Sequence, residues 1–145
     1  MKIDRGDKSG KNVDPLTAKI IECVIAVHSE LGPGFDEPIY HNAMVIEANK
    51  RRLQFETQHP VTIFYDGHIV GKQRLDLVFE GRVVVELKAV EQLVKKHYSQ
   101  LRAYLRATGL QVGLLVNFDE EKATFRRINL PKASPRSRRI SPISS

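Results

Sequence analysis

Three polar side chains stand inside apolar runs: Asp76 in Leu75-Asp76-Leu77-Val78, and Glu86 and Lys88 at the end of Val83-Val84-Val85-Glu86-Leu87-Lys88. In an extended strand alternate residues share a face, so Glu86 and Lys88 project one way while Val85 and Leu87 project the other. If the turn around Glu80-Gly81 holds three residues, Asp76 joins that face, opposite or one pair diagonal to Glu86; a two-residue loop would send it to the wrong side. Two carboxylates at cross-strand distance repel unless positive charge lies between them. Lys88 supplies part of it. A hard cation such as Mg²⁺ or Mn²⁺ would supply the rest, because it takes one or two carboxylates plus water and phosphate oxygens. With the lysine positioning or activating the nucleophile, this combination suits hydrolysis of a phosphodiester. The plain alternative is a solvated Glu86–Lys88 ion pair, which is what an isolated E-x-K in a strand usually forms.

These residues need a scaffold. Asp14 and Pro15 read as an N-cap and first helical residue, and Leu16, Ile20, Cys23/Val24, Val27 and Leu31 recur at helical spacing, giving a helix over about 15–31. Gly32-Pro33-Gly34 ends it, and Asp36 is expected to cap a second helix over about 37–51, with Pro38 tolerated in its first turn. Val61, Ile63 and Tyr65 alternate ahead of Asp66-Gly67, a hairpin signal, and the return strand runs from His68 to Phe79. After the turn at Glu80-Gly81, residues 82–88 read as a third strand. A helix over about 91–108 follows, with Val94, Tyr98, Leu101 and Leu105 as its core stripe and Gly109 as its cap. Residues 112–116 and 123–128 complete the set as strands. The order ααβββαββ predicts an α/β fold, a mixed sheet flanked by helices.

The chain's 145 residues and 41% hydrophobic content suit one domain, expected over 14–130. Residues 1–13 read as a flexible polar segment and 131–145 as a disordered basic Ser/Pro/Arg tail. The net charge of +6 resides in those ends, leaving the body neutral, so composition alone does not establish a nucleic-acid partner. Cys23 is a lone cysteine without zinc-ligand spacing around it, and no long apolar run is present; a cytoplasmic setting with no membrane partner is the expectation.

With that element order, Asp76 and Glu86-Leu87-Lys88 on adjacent strands resemble the PD-(D/E)XK nuclease signature, with Leu75 where the signature carries proline. Gly34-Phe35-Asp36-Glu37-Pro38-Ile39-Tyr40 is similar to the defining motif of the GxxExxY family within that superfamily. The likeness continues through Tyr65-Asp66-Gly67, Glu86 to Val90, His97, Gln100, Tyr104-Leu105 and Gly113 to Phe118. It implies a restriction-endonuclease-like core and a third acid, Glu37, at the metal site with Asp76 and Glu86. By itself Glu37 also suits the first turn of a helix, where the dipole favours an anion.

Gln100 and Tyr104 are similar to the Q-x-x-x-Y motif of RecB-like nucleases, whose residues help hold substrate; polar surface and core are the competing readings. His97 shares their stripe and is a candidate for binding phosphate, against the ordinary reading of a boundary histidine. Tyr40, on Glu37's helix face, is a candidate for touching substrate or orienting Glu37, against plain core packing. Arg74, two residues before Asp76, is expected to share its face and to meet a phosphate or pair with the acids. Lys50-Arg51-Arg52 closes a helix, where cations offset the dipole without any substrate.

The leading expectation is a Mg²⁺- or Mn²⁺-dependent nuclease acting on DNA, with RNA as the other substrate. The alternative is a non-catalytic nucleic-acid-binding or interaction module of the same fold, and a third possibility is a subunit that needs a partner for activity.

Overall fold

The computed structural model describes residues 14–131. The flexible segment expected at 1–13 and the basic tail after Pro131 lie outside them. Helices α1 (Pro15–Leu31) and α2 (Glu37–Lys50) precede strands β1 (Phe55–Tyr65), β2 (His68–Phe79) and β3 (Val83–Lys88). Then come α3 (Lys95–Thr108), β4 (Val112–Asn117) and β5 (Thr124–Asn129). The order is the ααβββαββ read from the sequence. One sheet holds all five strands in chain order, antiparallel except where β3 and β4 run parallel. Helix α3 makes that single crossover, as a parallel pair requires.

The sheet is covered on both faces, which is why β3 and β4 read as nearly unbroken apolar runs. Helices α1 and α2 pack Ile20, Val24, Tyr40 and Met44 against Leu77, Val85, Leu87 and Val116 on one face. On the other, Leu101 and Leu105 of α3 meet Val61, Leu75, Val84 and Leu115. The approach of α3 is close because Gly113 of β4 lacks a side chain: a Cβ there would sit 3.1 Å from Leu101. Gly109 ends α3 at φ 81°, the left-handed cap expected of it.

Three local expectations change. Helix α3 starts at Lys95, not near 91, and Val94 is its exposed N-cap and not part of the core stripe. Apolar periodicity cannot tell a core position from the residue just outside the first turn. Asp36 occupies the N-cap of α2 in extended geometry but its side chain makes no capping bond, in contrast to Asp14, which accepts from the Leu16 amide at 3.3 Å. Strand β1 begins at Phe55, six residues before the alternation at Val61. Pro60 obscured this, but β1 is an edge strand, where a missing N–H is tolerated.

Candidate active site

The turn between β2 and β3 spans residues 80–82, with Glu80 and Gly81 both at positive φ. It sets the register Phe79↔Val83, Val78↔Val84 and Leu77↔Val85. The ladder stops there because the strands splay at the next pair, Asp76 and Glu86. Side chains replace the missing backbone bonds: the Asp76 amide donates to Glu86 Oε2 at 3.1 Å, and the Leu87 amide donates to Asp76 Oδ2 at 2.8 Å. The two acids are thus fixed opposite each other in the gap the splay opens, on the α3 side of β3.

The neighbours follow from the elements around that gap. Lys88, two residues beyond Glu86, donates from Nζ to Gln100 Oε1 of α3 at 3.2 Å. One turn further along α3, the Tyr104 hydroxyl donates to Gln73 Oε1 at 3.2 Å. From the opposite side, Glu37 in the first turn of α2 faces Asp76, and His41, one turn on, donates from Nε2 to the Asp76 carbonyl at 3.3 Å. His41 was not singled out in the sequence; its i+4 spacing from Glu37 was the available signal. Gln73 and Gln58, whose amide lies 3.5 Å from the His41 ring, carried none.

Electrostatics mark this cluster. Glu86 is only 7% exposed, and burial followed by the charge of Asp76 pushes its carboxyl up to about 8. Burial likewise raises Asp76, opposed by the Leu87 amide, His41 and Lys88. Glu37 is raised by burial and then by Asp76, with Lys88 and His41 opposing. Three carboxyls that disfavour one another's ionised forms, around one lysine, form a site that a divalent cation would relieve. Among the described residues no group of three or more His, Cys, Asp or Glu side chains is arranged to hold a metal ion. The hard oxygens of Asp76 and Glu86, with Glu37 beside them, would suit a cation whose shell is completed by water, the coordination Mg²⁺ favours.

Tyr40 does not reach this surface. It is fully buried, stacked on Phe118 with centroids 4.5 Å apart, and its hydroxyl donates to the Gly32 carbonyl at 2.6 Å while accepting from the Phe35 amide at 3.1 Å. This removes it from substrate contact and makes it a brace. The Phe118 amide in turn bonds the Lys88 carbonyl at 2.9 Å, so a short chain of contacts ties the start of α2 to the end of β3. Buried Asn117 does the same for the segment after β3, bonding both the amide and the carbonyl of Val90. Tyr40→Phe is expected to cost about 1–3 kcal/mol in urea denaturation, since the Gly32 carbonyl and Phe35 amide lose their shared partner.

Arg74 is exposed and joins no salt bridge among the described residues, and it does not share the face of Asp76. Leu75 and Val78 both belong to the α3-side core, so the alternation slips by one between them, and Gln73 instead of Arg74 faces Tyr104. The slip coincides with Gln58 of β1, at φ 50°, which stands between the pairs Thr57↔Leu77 and His59↔Leu75. A simple two-residue period cannot anticipate such a break. His97 is the third residue of α3, and its Nδ1 accepts from the Val94 amide at 3.0 Å. It caps the helix, and burial with the nearby Lys88 and Lys96 holds its pKa down. Lys50 and Arg51 pair with Glu47, and Arg51 also with Glu22, so that cluster is structural.

A model of the PD-(D/E)XK nuclease superfamily matches residues 14–128, nearly all of the described chain. The chain belongs to this superfamily. Superfamily members are typically metal-dependent nucleases, and this PD-(D/E)XK protein carries the family's domain over nearly its whole described length. Among curated proteins none matches the chain. A solved structure titled "Crystal structure of SSO0001" is similar in fold, with a TM-score of 0.53 at 22% identity over 72% of this chain. The PD-(D/E)XK protein spans 55% of the length of that chain. The likeness supports a restriction-endonuclease-like α/β fold. Among the described residues no helix is long and apolar enough to cross a membrane.

Proposed function

We propose that this protein is a Mg²⁺- or Mn²⁺-dependent nuclease hydrolysing phosphodiester bonds of DNA, with RNA as a second substrate, and that it belongs to the GxxExxY group. The observation that carries this reading is the pairing of half-buried Asp76 with buried Glu86 in the splay between β2 and β3, with Lys88 at its open end. Asp76 and Glu86 hold the cation, and Glu37 adds negative charge beside it. A bound cation supplies charge neutralisation at the scissile phosphodiester. Lys88 positions the attacking water, and Gln100 fixes the lysine as the first residue of a RecB-like Q-x-x-x-Y pair. Tyr104 and Gln73 form the wall of the cleft on the α3 side. His97, whose Nδ1 is engaged, presents Nε2 to an incoming phosphate, and Arg74 meets the strand further out. The buried lone Cys23 agrees with a reducing, cytoplasmic setting.

The body is neutral in sum, but its charges are unevenly placed. Lys95 and Lys96 open α3 with no acid in the first turn, against the helix dipole, and Lys96 lies close enough to His97 to act on it beside Lys88. That cationic rim supports an anionic substrate at the site. The second reading, a binding module of the same fold without catalysis, draws on the want of a preformed three-ligand cage among the described residues.

A panel of linear, circular and single-stranded DNA and RNA, incubated with Mg²⁺ or Mn²⁺, separates the two. Cleavage by the wild type that is lost in Glu86→Ala and Asp76→Ala is the expected result. Metal-independent binding without cleavage, unchanged in Asp76→Ala, would establish the second reading.

A further inference from the structure

Strands β1 and β2 outrun the sheet. Only Leu77, Val78 and Phe79 of β2 pair with β3, so from His59 to Leu75 the two strands have each other as sheet partners and form a two-stranded ribbon. Its base rests on α3 through Val61, Ile63 and the Tyr104–Gln73 bond. Past a register shift at Ile63/Phe64 the ribbon stands free, turning at Asp66-Gly67, where both φ angles are positive as a tight hairpin needs. Isolated two-stranded hairpins are marginal in water and usually carry polar tips. This tip instead exposes Tyr65 (74%), Ile69 (60%) and Val70 (60%).

The ribbon also carries Lys72 and Arg74, neighbours on one face opposite Thr62 and Pro60, neither of them in a salt bridge among the described residues. Its one acid is Asp66, in the turn. Its root is Asp76. Lys72 and Arg74 line the face of the ribbon turned away from α3, so a polyanion that reaches the acids and wraps the ribbon meets cations on that second face and the apolar side chains at the tip. A second copy of the chain fits this surface poorly, since an isologous contact would bring the uncompensated cations of both copies together.

We propose that the β1–β2 ribbon is a docking arm for double-stranded nucleic acid, lying in a groove with Lys72 and Arg74 on the phosphates and Tyr65, Ile69 and Val70 against the bases. A major groove about 12 Å wide admits a two-stranded ribbon, and apolar side chains on such a ribbon can meet the base edges there, the thymine methyl among them. The inference rests on the nuclease reading and names the substrate form that reading leaves open.

The test is fluorescence anisotropy of a labelled mixed-sequence duplex and the matching single strand, with the full chain carrying Glu86→Ala so that nothing is cut. Two further variants are compared in that background, Lys72→Ala/Arg74→Ala and Ile69→Ser/Val70→Ser. Because these positions are exposed, thermal melting should be unchanged. The expected result is preference for the duplex and binding about tenfold weaker in each variant, with the salt slope lowered by about two only when the cations are removed.

Duplex binding that both variants leave unchanged, beside intact cleavage by the wild type, would overturn the arm and leave the nuclease reading standing. Equal dependence of single-strand binding on the same residues would overturn the duplex assignment. Concentration-dependent dimers that vanish with Ile69→Ser/Val70→Ser, with duplex binding unaffected, would assign the tip to a second copy. Arm-dependent duplex binding without any Glu86-dependent cleavage would keep the arm and sink the nuclease reading.

Discussion

Replacing Glu86 by glutamine is expected to stabilise the metal-free protein above neutral pH while ending its activity. The glutamine keeps an oxygen for the Asp76 amide but carries no charge to desolvate. With the folded carboxyl pushed up to about 8 and the unfolded one near its ordinary 4.5, the native state retains a proton that the unfolded chain releases. Stability therefore falls as pH rises from about 4.5 through about 8, and stays low above that. At about 1.4 kcal/mol per pH unit, the full effect is on the order of several kcal/mol. Urea denaturation from about pH 5 to 9 should show this slope in the wild type and a flatter profile in Glu86→Gln. A cation that binds only the native state reverses the penalty, so millimolar Mg²⁺ should raise the wild-type melting temperature and leave the variant's nearly unchanged. Wild-type stability that climbed over the same pH range would show that Glu86 is not the costly buried acid described here.

Lys88→Met is expected to lower cleavage by about 10²–10³-fold, the scale of losing one preorganised charge at a reacting centre. A second consequence separates this from a packing defect. Lys88 pulls down the pKa of Glu37, Asp76 and Glu86, so its loss raises all three. Residual activity should then need a more alkaline solution to ionise the acids for the cation, shifting the acid limb of the rate profile upward. Gln100→Ala removes the partner of Nζ and not the charge, so a loss of about tenfold with an unshifted limb is expected. Equal activity of Lys88→Met and wild type across pH would remove the lysine from the reaction.

Much of this arrangement was legible in the chain itself. Helical periodicity, the Gly-Pro-Gly break and the Asp-Gly and Glu-Gly turns determined the element order, because each is a local matter of dihedral preference and burial period. The chain marked the turn at Glu80-Gly81 but left its length open between two and three residues; the three-residue turn of the structure places Asp76 opposite Glu86, since register follows from loop length once two strands pair. Asp76, Glu86 and Lys88 could be named because polar residues in apolar runs are conspicuous and strand alternation assigns their face, whereas Glu37 and Gln100, both on helices, were named through the family resemblance.

Tertiary structure decided what local periods cannot carry. Tyr40 looked like a helical neighbour of Glu37, yet it points into the core, because its position on α2 is set by packing against Phe118, 78 residues away in sequence. Arg74 lost its place beside Asp76 to a slip of alternation imposed where Gln58 breaks the ladder. His41 and Gln73 entered the cluster because α2 and α3 approach the splay from opposite sides of the sheet. The raised carboxyls belong to this level too: the sequence determines which groups titrate, but only assembly of the two layers withdraws water from them and brings their charges together.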